Sequence, residues 1–107
     1  MTIRAVNGGE IDLSTLTQII HTGVSAESYI RAVGRNSLVN LGGLTRFITQ
    51  GGTSELRVAD NGTIQAPNLN QQQNLNVIND GGTIVLPMVK YGVQVTKFAE
   101  LKELKSR

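Results

Sequence analysis

No cysteine and no tryptophan occur in the 107 residues, and proline appears only twice. Without cysteine, disulfides and thiolate metal centres are excluded. The aromatic residues are Tyr29, Phe47, Tyr91 and Phe98. Aromatic side chains bury the most area each, about 150–250 Å², so a core here has to come from Ile, Leu and Val. A chain of this length is one domain's worth, with material for one modest core. So thin an aromatic supply makes pairing with copies of itself an expected second source of burial.

Charge is scarce too. Charged residues make up 17% of the chain, where soluble domains carry nearer about 25%. The net charge is +2, and the basic residues are dispersed except near the C-terminus. Nucleic-acid-binding domains concentrate basic charge on one face or helix, so nucleic acid is not the expected partner. Arg31, Arg35, Arg46 and Arg57 are the residues that would carry such binding. No apolar run approaches the ~20 residues of a membrane-spanning helix, and no signal-peptide pattern opens the chain. The expectation is a soluble, unprocessed protein with no membrane partner.

Chemistry-bearing constellations are missing as well. The lone histidine, His21, has no nucleophile and orienting carboxylate in any recognisable pattern around it. The carboxylates Glu10, Asp12, Glu27, Glu55, Asp60, Asp80, Glu100 and Glu103 are spread along the chain. Asp60 and Asp80 sit in turn sequences, where aspartate bonds its own backbone. Neither "DNGT" nor "DGGT" has the alternating ligands of a calcium loop, and no Gly-x-x-x-x-Gly-Lys string makes a phosphate cradle. Asn61-Gly62-Thr63 matches the bare glycosylation acceptor pattern. No catalytic, cofactor-binding or metal-binding residue is assigned, no cofactor is expected, and the chain reads as a non-enzyme.

What the sequence does have is a recurring glycine turn followed by a strand-like run. Asn7-Gly8-Gly9 precedes "EIDL", Gly42-Gly43 precedes "LTRFIT", and Gly51-Gly52 precedes "TSELRV". Asn61-Gly62 precedes "TIQAP", and Asp80-Gly81-Gly82 precedes "TIVLP". Glycine and asparagine tolerate the positive φ that tight hairpins need, and Thr, Ile and Val suit a pleated surface. In "ELRVADNGTIQAP", Leu56 and Val58 alternate with polar residues before Asn-Gly, as Ile64 and Ala66 do after it, which predicts a β-hairpin. Pro67 ends its second strand. The turns are unevenly spaced, which speaks against a solenoid. The expected fold is mainly β: a small meander of short hairpins, sandwich- or barrel-like, over residues 35–97, within a single domain spanning 1–107.

Three segments depart from that pattern. Residues 12–34 read as partly helical: Leu13, Leu16, Ile19 and Ile20 share one helical face, and Ala26, Tyr29, Ile30 and Val33 recur at helical spacing. Residues 97–107 read as an amphipathic helical tail carrying Phe98, Leu101 and Leu104, too short to be stable unless docked. "APNLNQQQNLNVIND" reads as a long polar loop followed by a short strand, and loops of that length are often functional.

The stretch "LRVADNGTIQAPNLN" resembles strand–Asn-Gly–strand segments followed by Ala-Pro-Asn in bacteriophage fibre and appendage proteins. The low-charge composition rich in Gly, Asn, Gln and Thr is likewise similar to that of extracellular and virion β-structures. The resemblance spans residues 56–70 and implies a non-enzymatic structural protein of a phage virion. It implies a trimeric capsid decoration (cement) protein first, and a tail, head-fibre or baseplate adhesion module as the alternative. The implied partners are itself, as a homotrimer, and a major capsid or other virion protein. Localisation would be the virion, otherwise the cytoplasm. Ile84, Val85, Leu86, Met88, Phe98, Leu101 and Leu104 are the expected interface residues. A carbohydrate-binding module using the amides of residues 68–76 is a further alternative, with the shortage of aromatics against it.

Overall fold

Residues that alternate apolar and polar form strands, but each strand finds its partner one full coil away along the chain. The computed structural model describes residues 1–87. Its elements are β1 (Thr2–Val6), β2 (Glu10–Asp12), β3 (Gln18–Thr22), β4 (Tyr29–Val33), β5 (Leu38–Asn40) and β6 (Arg46–Gln50). They continue with β7 (Ser54–Ala59), β8 (Thr63–Gln65), β9 (Gln71–Gln73), β10 (Leu75–Asp80) and β11 (Thr83–Val85). Three sheets result, which we call A, B and C: β1-β4-β7-β10, β2-β5-β8-β11 and β3-β6-β9. Every pairing among the described residues is parallel. The chain visits A, B and C in turn and then repeats, which makes the architecture a parallel β-solenoid.

Three expectations are thereby corrected, the first being that uneven glycine spacing speaks against a solenoid: the coils repeat by strand register and not by turn spacing. There is no hairpin meander, because consecutive strands lie in different sheets. There is also no helix at residues 12–34, which instead form the end of β2, all of β3 and β4, and their corners. The helical spacing was coincidental. Ile19 is buried while Ile20 is 49% exposed, the two-sided alternation of a strand. Thr17, Ile19, Ile20 and Thr22 are β-branched, stiff at χ1 and better suited to a pleated surface. The end of the expected β region beyond residue 87 and the tail at 97–107 lie outside the described residues.

Register partners line up as inward ladders. Ile3, Ile30, Leu56 and Val77 stack through sheet A. Ile11, Val39, Ile64 and Ile84 stack through sheet B, and Ile19 stands against Phe47 in sheet C. Ile30, Val39, Phe47, Leu56 and Ile64 are completely buried, each contributing about 1.5–3 kcal/mol of burial. Leu41, Leu44, Ala66 and Leu69 fill the core behind the corners. Ile3, Ile11, Leu13 and Leu16 pack against it from the first coil, partly exposed.

The corners explain the glycines and asparagines. Ala59-Asp60-Asn61-Gly62 is a tight turn with φ of 50° at Asp60 and 70° at Asn61, closed by the Gly62 N–H donating to Ala59 O at 2.9 Å. It carries the chain from sheet A to sheet B instead of folding a strand back on itself. Equivalent closures join Gly9 N–H to Val6 O and Ser37 N–H to Gly34 O. Corners also bond along the stack, for example Gly34 N–H to Ala59 O, Asn61 N–H to Gly81 O and Leu41 N–H to Gln65 O. The backbone ladder therefore runs through the bends, which keeps buried polar groups satisfied. Buried Asn79 secures the last such corner, accepting from the Gly81 and Gly82 N–H groups and donating to Gly82 O.

Candidate functional site

A stack of coils offers three lateral faces, and they differ sharply in chemistry. The outer face of sheet A carries the row Arg4, Arg31, Arg57 and Ile78 on successive strands. Glu55, one row over, pairs with both Arg31 and Arg57 at 3.2 Å, and Arg57 also pairs with Asp80. The hydrogen bond to Glu55 and its negative charge raise the Arg57 pKa, partly opposed by desolvation. Arg31 lies over the Tyr29 ring at 5.0 Å. The Tyr29 hydroxyl is pushed up by its hydrogen bond to Glu27, then by desolvation and nearby carboxylates. Most of the charge on this face is thus matched internally.

The four arginines considered for nucleic acid do not assemble. Arg31 and Arg57 share sheet A, Arg46 lies on sheet C, and Arg35 occupies a corner. Glu55 and Asp80 stand among the sheet A pair. Sheet B is narrow, with three-residue strands, and its outward rows mix Glu10, Leu38, Thr63 and Thr83 with Asp12, Asn40, Gln65 and Val85.

His21 meets a serine: its Nδ1 lies 3.0 Å from Ser28 Oγ. The pair is not a nucleophile and its base in working form. Ser28 is completely buried, and its own N–H donates to buried Ser54 Oγ. Ser54 Oγ shares a hydrogen bond with buried Thr49 Oγ1 at 2.6 Å. This chain of hydroxyls knits the corner between sheets C and A, and a substrate cannot reach its serine. Among the described residues no group of three or more His, Asp or Glu side chains could hold a metal ion.

Sheet C is different. Its outer face carries the row Gln18, Arg46 and Gln71, then Ile20, Ile48 and Gln73, then Thr22 and Gln50. Beside it opens a shallow groove of about 580 Å³ lined by Arg46, Ile48, Asn70, Gln71, Gln72 and Gln73. Arg46 Nη1 donates to Gln18 Oε1 at 3.3 Å, orienting both side chains along the strand row. Among the described residues no carboxylate belongs to this face. The expected loop at 68–76 is divided by the fold. Asn68 donates to Gly42 O and Asn74 to Thr49 O, so those amides hold corners. Gln71 and Gln73 are exposed on β9, with Gln72 between them half-buried opposite Phe47.

Of the expected interface residues, Ile84 and Leu86 lie in the core, Val85 is 39% exposed, and Met88, Phe98, Leu101 and Leu104 fall outside the described residues. Sequence reasoning missed Arg46, Ile20 and Ile48 as neighbours of the glutamines. Only the coil-to-coil register joins these segments, whose partners lie 28 residues apart between β3 and β6 and 25 between β6 and β9. Compared with protein-family models, curated proteins and solved structures, the chain matches none of them.

Proposed function

We propose that the protein is a non-enzymatic structural and adhesive module, a short rigid solenoid that displays side chains in fixed rows on its flanks. The observation that carries this reading is the coil-to-coil register itself. Ladders running through strands and corners alike hold rows of side chains about 4.8 Å apart, a surface suited to gripping an extended partner. The non-enzymatic part starts from the one serine–histidine contact described above, in which Ser28 is completely buried and holds a corner.

The virion setting rests on the resemblance of residues 56–70 to phage appendage segments. Within it, the capsid-decoration reading and the adhesion-module alternative both use flanks that carry fixed side-chain rows. Both readings keep self-association as a proposal, beside a core that is one continuous aliphatic cluster in the described residues.

The test is to incubate the labelled full chain with bacterial envelopes and to follow both retention and new reducing ends. Retention with no release of fragments is expected. Release of fragments would overturn the non-enzymatic reading, and absence of retention on every envelope would overturn the adhesive one.

A further inference from the structure

Sheet C offers a ligand-sized surface whose composition is narrow enough to name what it takes. Its apolar centre is Ile20 and Ile48, adjacent in register on β3 and β6, with Ile20 49% exposed. Around them stand Gln18, Gln71, Gln73, Gln50, Thr22 and Arg46. Primary amides offer two donors and an acceptor oxygen on one planar group, and so pair with neighbouring hydroxyls as both donor and acceptor. The two isoleucines supply the C–H surface against which the less polar face of a pyranose ring can lie. The groove lined by Ile48, Arg46, Asn70, Gln71 and Gln73 continues this surface along β9.

Size decides between a protein and a smaller partner. In the described residues two strands of five residues and one of three, about 4.8 Å apart, cover at most roughly 17 by 14 Å, a footprint of no more than about 240 Å². A stable protein interface needs about 800 Å² from each side, so this face alone does not hold a second copy of the chain. Charge narrows the ligand further. Among the described residues the face carries no carboxylate and a single cation, Arg46, which is engaged with Gln18. Sheet A, by contrast, has Arg31 and Arg57 bridged by Glu55 and Asp80, and its described residues present no comparable row of amides.

We infer that the outer face of sheet C is a binding site for a neutral, hydroxyl-rich polysaccharide, resting on the adhesive reading above. Ile20 and Ile48 form the platform, and Gln71, Gln73 and Arg46 bind ring hydroxyls. Multiple weak contacts along successive sugars stand in for aromatic stacking, since among the described residues no aromatic side chain lies on this outer face.

The full chain is titrated by calorimetry against three soluble neutral polysaccharides, a glucan, a mannan and a galactan, at 50 and 300 mM NaCl. Binding to at least one is expected, with affinity changing less than about threefold between the two salt concentrations, because no ion pairs form. The double variant Gln71→Ala/Gln73→Ala and, separately, Ile48→Asp each lower affinity tenfold or more. Arg57→Ala, on the other flank, leaves it unchanged. Circular dichroism confirms that each variant keeps the strand signal; both glutamines are exposed, so the glutamine variant serves even if Ile48→Asp fails to fold. Wild-type affinity in the glutamine variant overturns the assignment of this face. A fall of more than tenfold with salt overturns the neutral ligand. No binding to any of the three, with envelope retention intact, overturns this inference while leaving the adhesive reading standing.

Discussion

Gly62 sits where one corner of the solenoid stacks on the next, and a β-carbon there would press into the Ala32 carbonyl oxygen. The neighbour is backbone held in a parallel ladder, so it cannot swing aside. Gly82 repeats the situation one coil on, its β-carbon meeting Val58 Cβ and Cγ2 at 2.9 Å. Gly62→Ala is expected to cost about 1–3 kcal/mol, as overpacking in a close-packed interior does, measured as a lower urea midpoint at unchanged m-value. An unchanged midpoint would show that the corner relaxes. Asp12 makes a second residue-scale case. A hydrogen bond with the Ser14 side chain and another from the Ser14 N–H at 2.9 Å hold its carboxyl below the usual value. A carboxyl depressed in the folded state stabilises above the ordinary carboxylate pKa and loses that contribution as pH falls through the folded value. Ser14→Ala is expected to move the Asp12 midpoint upward in an NMR titration, towards that of a free aspartate. A midpoint that stays put would assign the whole effect to the Ser14 backbone.

Within a sheet, the energetics belong to rows and not to single residues. Arg4, Arg31 and Arg57 follow one another on neighbouring strands, and like charges opposite each other are destabilising by about 0.2–1 kcal/mol per pair. Glu55, 13% exposed, bridges two of the three. Glu55→Gln is expected to lower stability by about 1–2 kcal/mol in low salt. The loss should shrink towards 1 M NaCl, where charges are screened beyond about 3 Å. Equal losses in denaturant titrations at both salt concentrations would mean that Glu55 acts by packing. Elements also show what the sequence could and could not disclose. The alternation of Leu56 and Val58, and of Ile64 and Ala66, is present as inward rows, because side-chain period is local. Partner choice is not local. Asn61-Gly62 makes the positive-φ turn that a hairpin would need, yet it links two different sheets. Register partners Ile3, Ile30, Leu56 and Val77 lie 27, 26 and 21 residues apart. That drifting period, with several glycine corners inside each coil, hides the repeat from glycine spacing. The sheet C face was legible only as a run of glutamines, since Arg46 and Ile20 join it through register alone.

At the scale of the molecule, each coil is covered only by its neighbours. Stability in such a stack is approximately a sum of coil terms and coil–coil interfaces, and about three repeats are needed before the sum turns favourable. The first coil, β1 to β3, covers one end of the core, placing Ile3 on Ile30, Ile11 on Val39 and Ile19 on Phe47. Removing residues 1–24 would expose those three fully buried side chains together and leave sheet C with β6 and β9. Ser28 would also lose its partner His21. The truncated chain is therefore expected to lose cooperative thermal unfolding and most of its strand circular dichroism, not merely to melt a few degrees earlier. A meander of hairpins would respond differently, because its strands pair with sequence neighbours and most of those pairs would survive the deletion. A sharp, only slightly lowered transition in the truncated protein would therefore count against the parallel register, and with it against the side-chain rows from which both functional proposals are built.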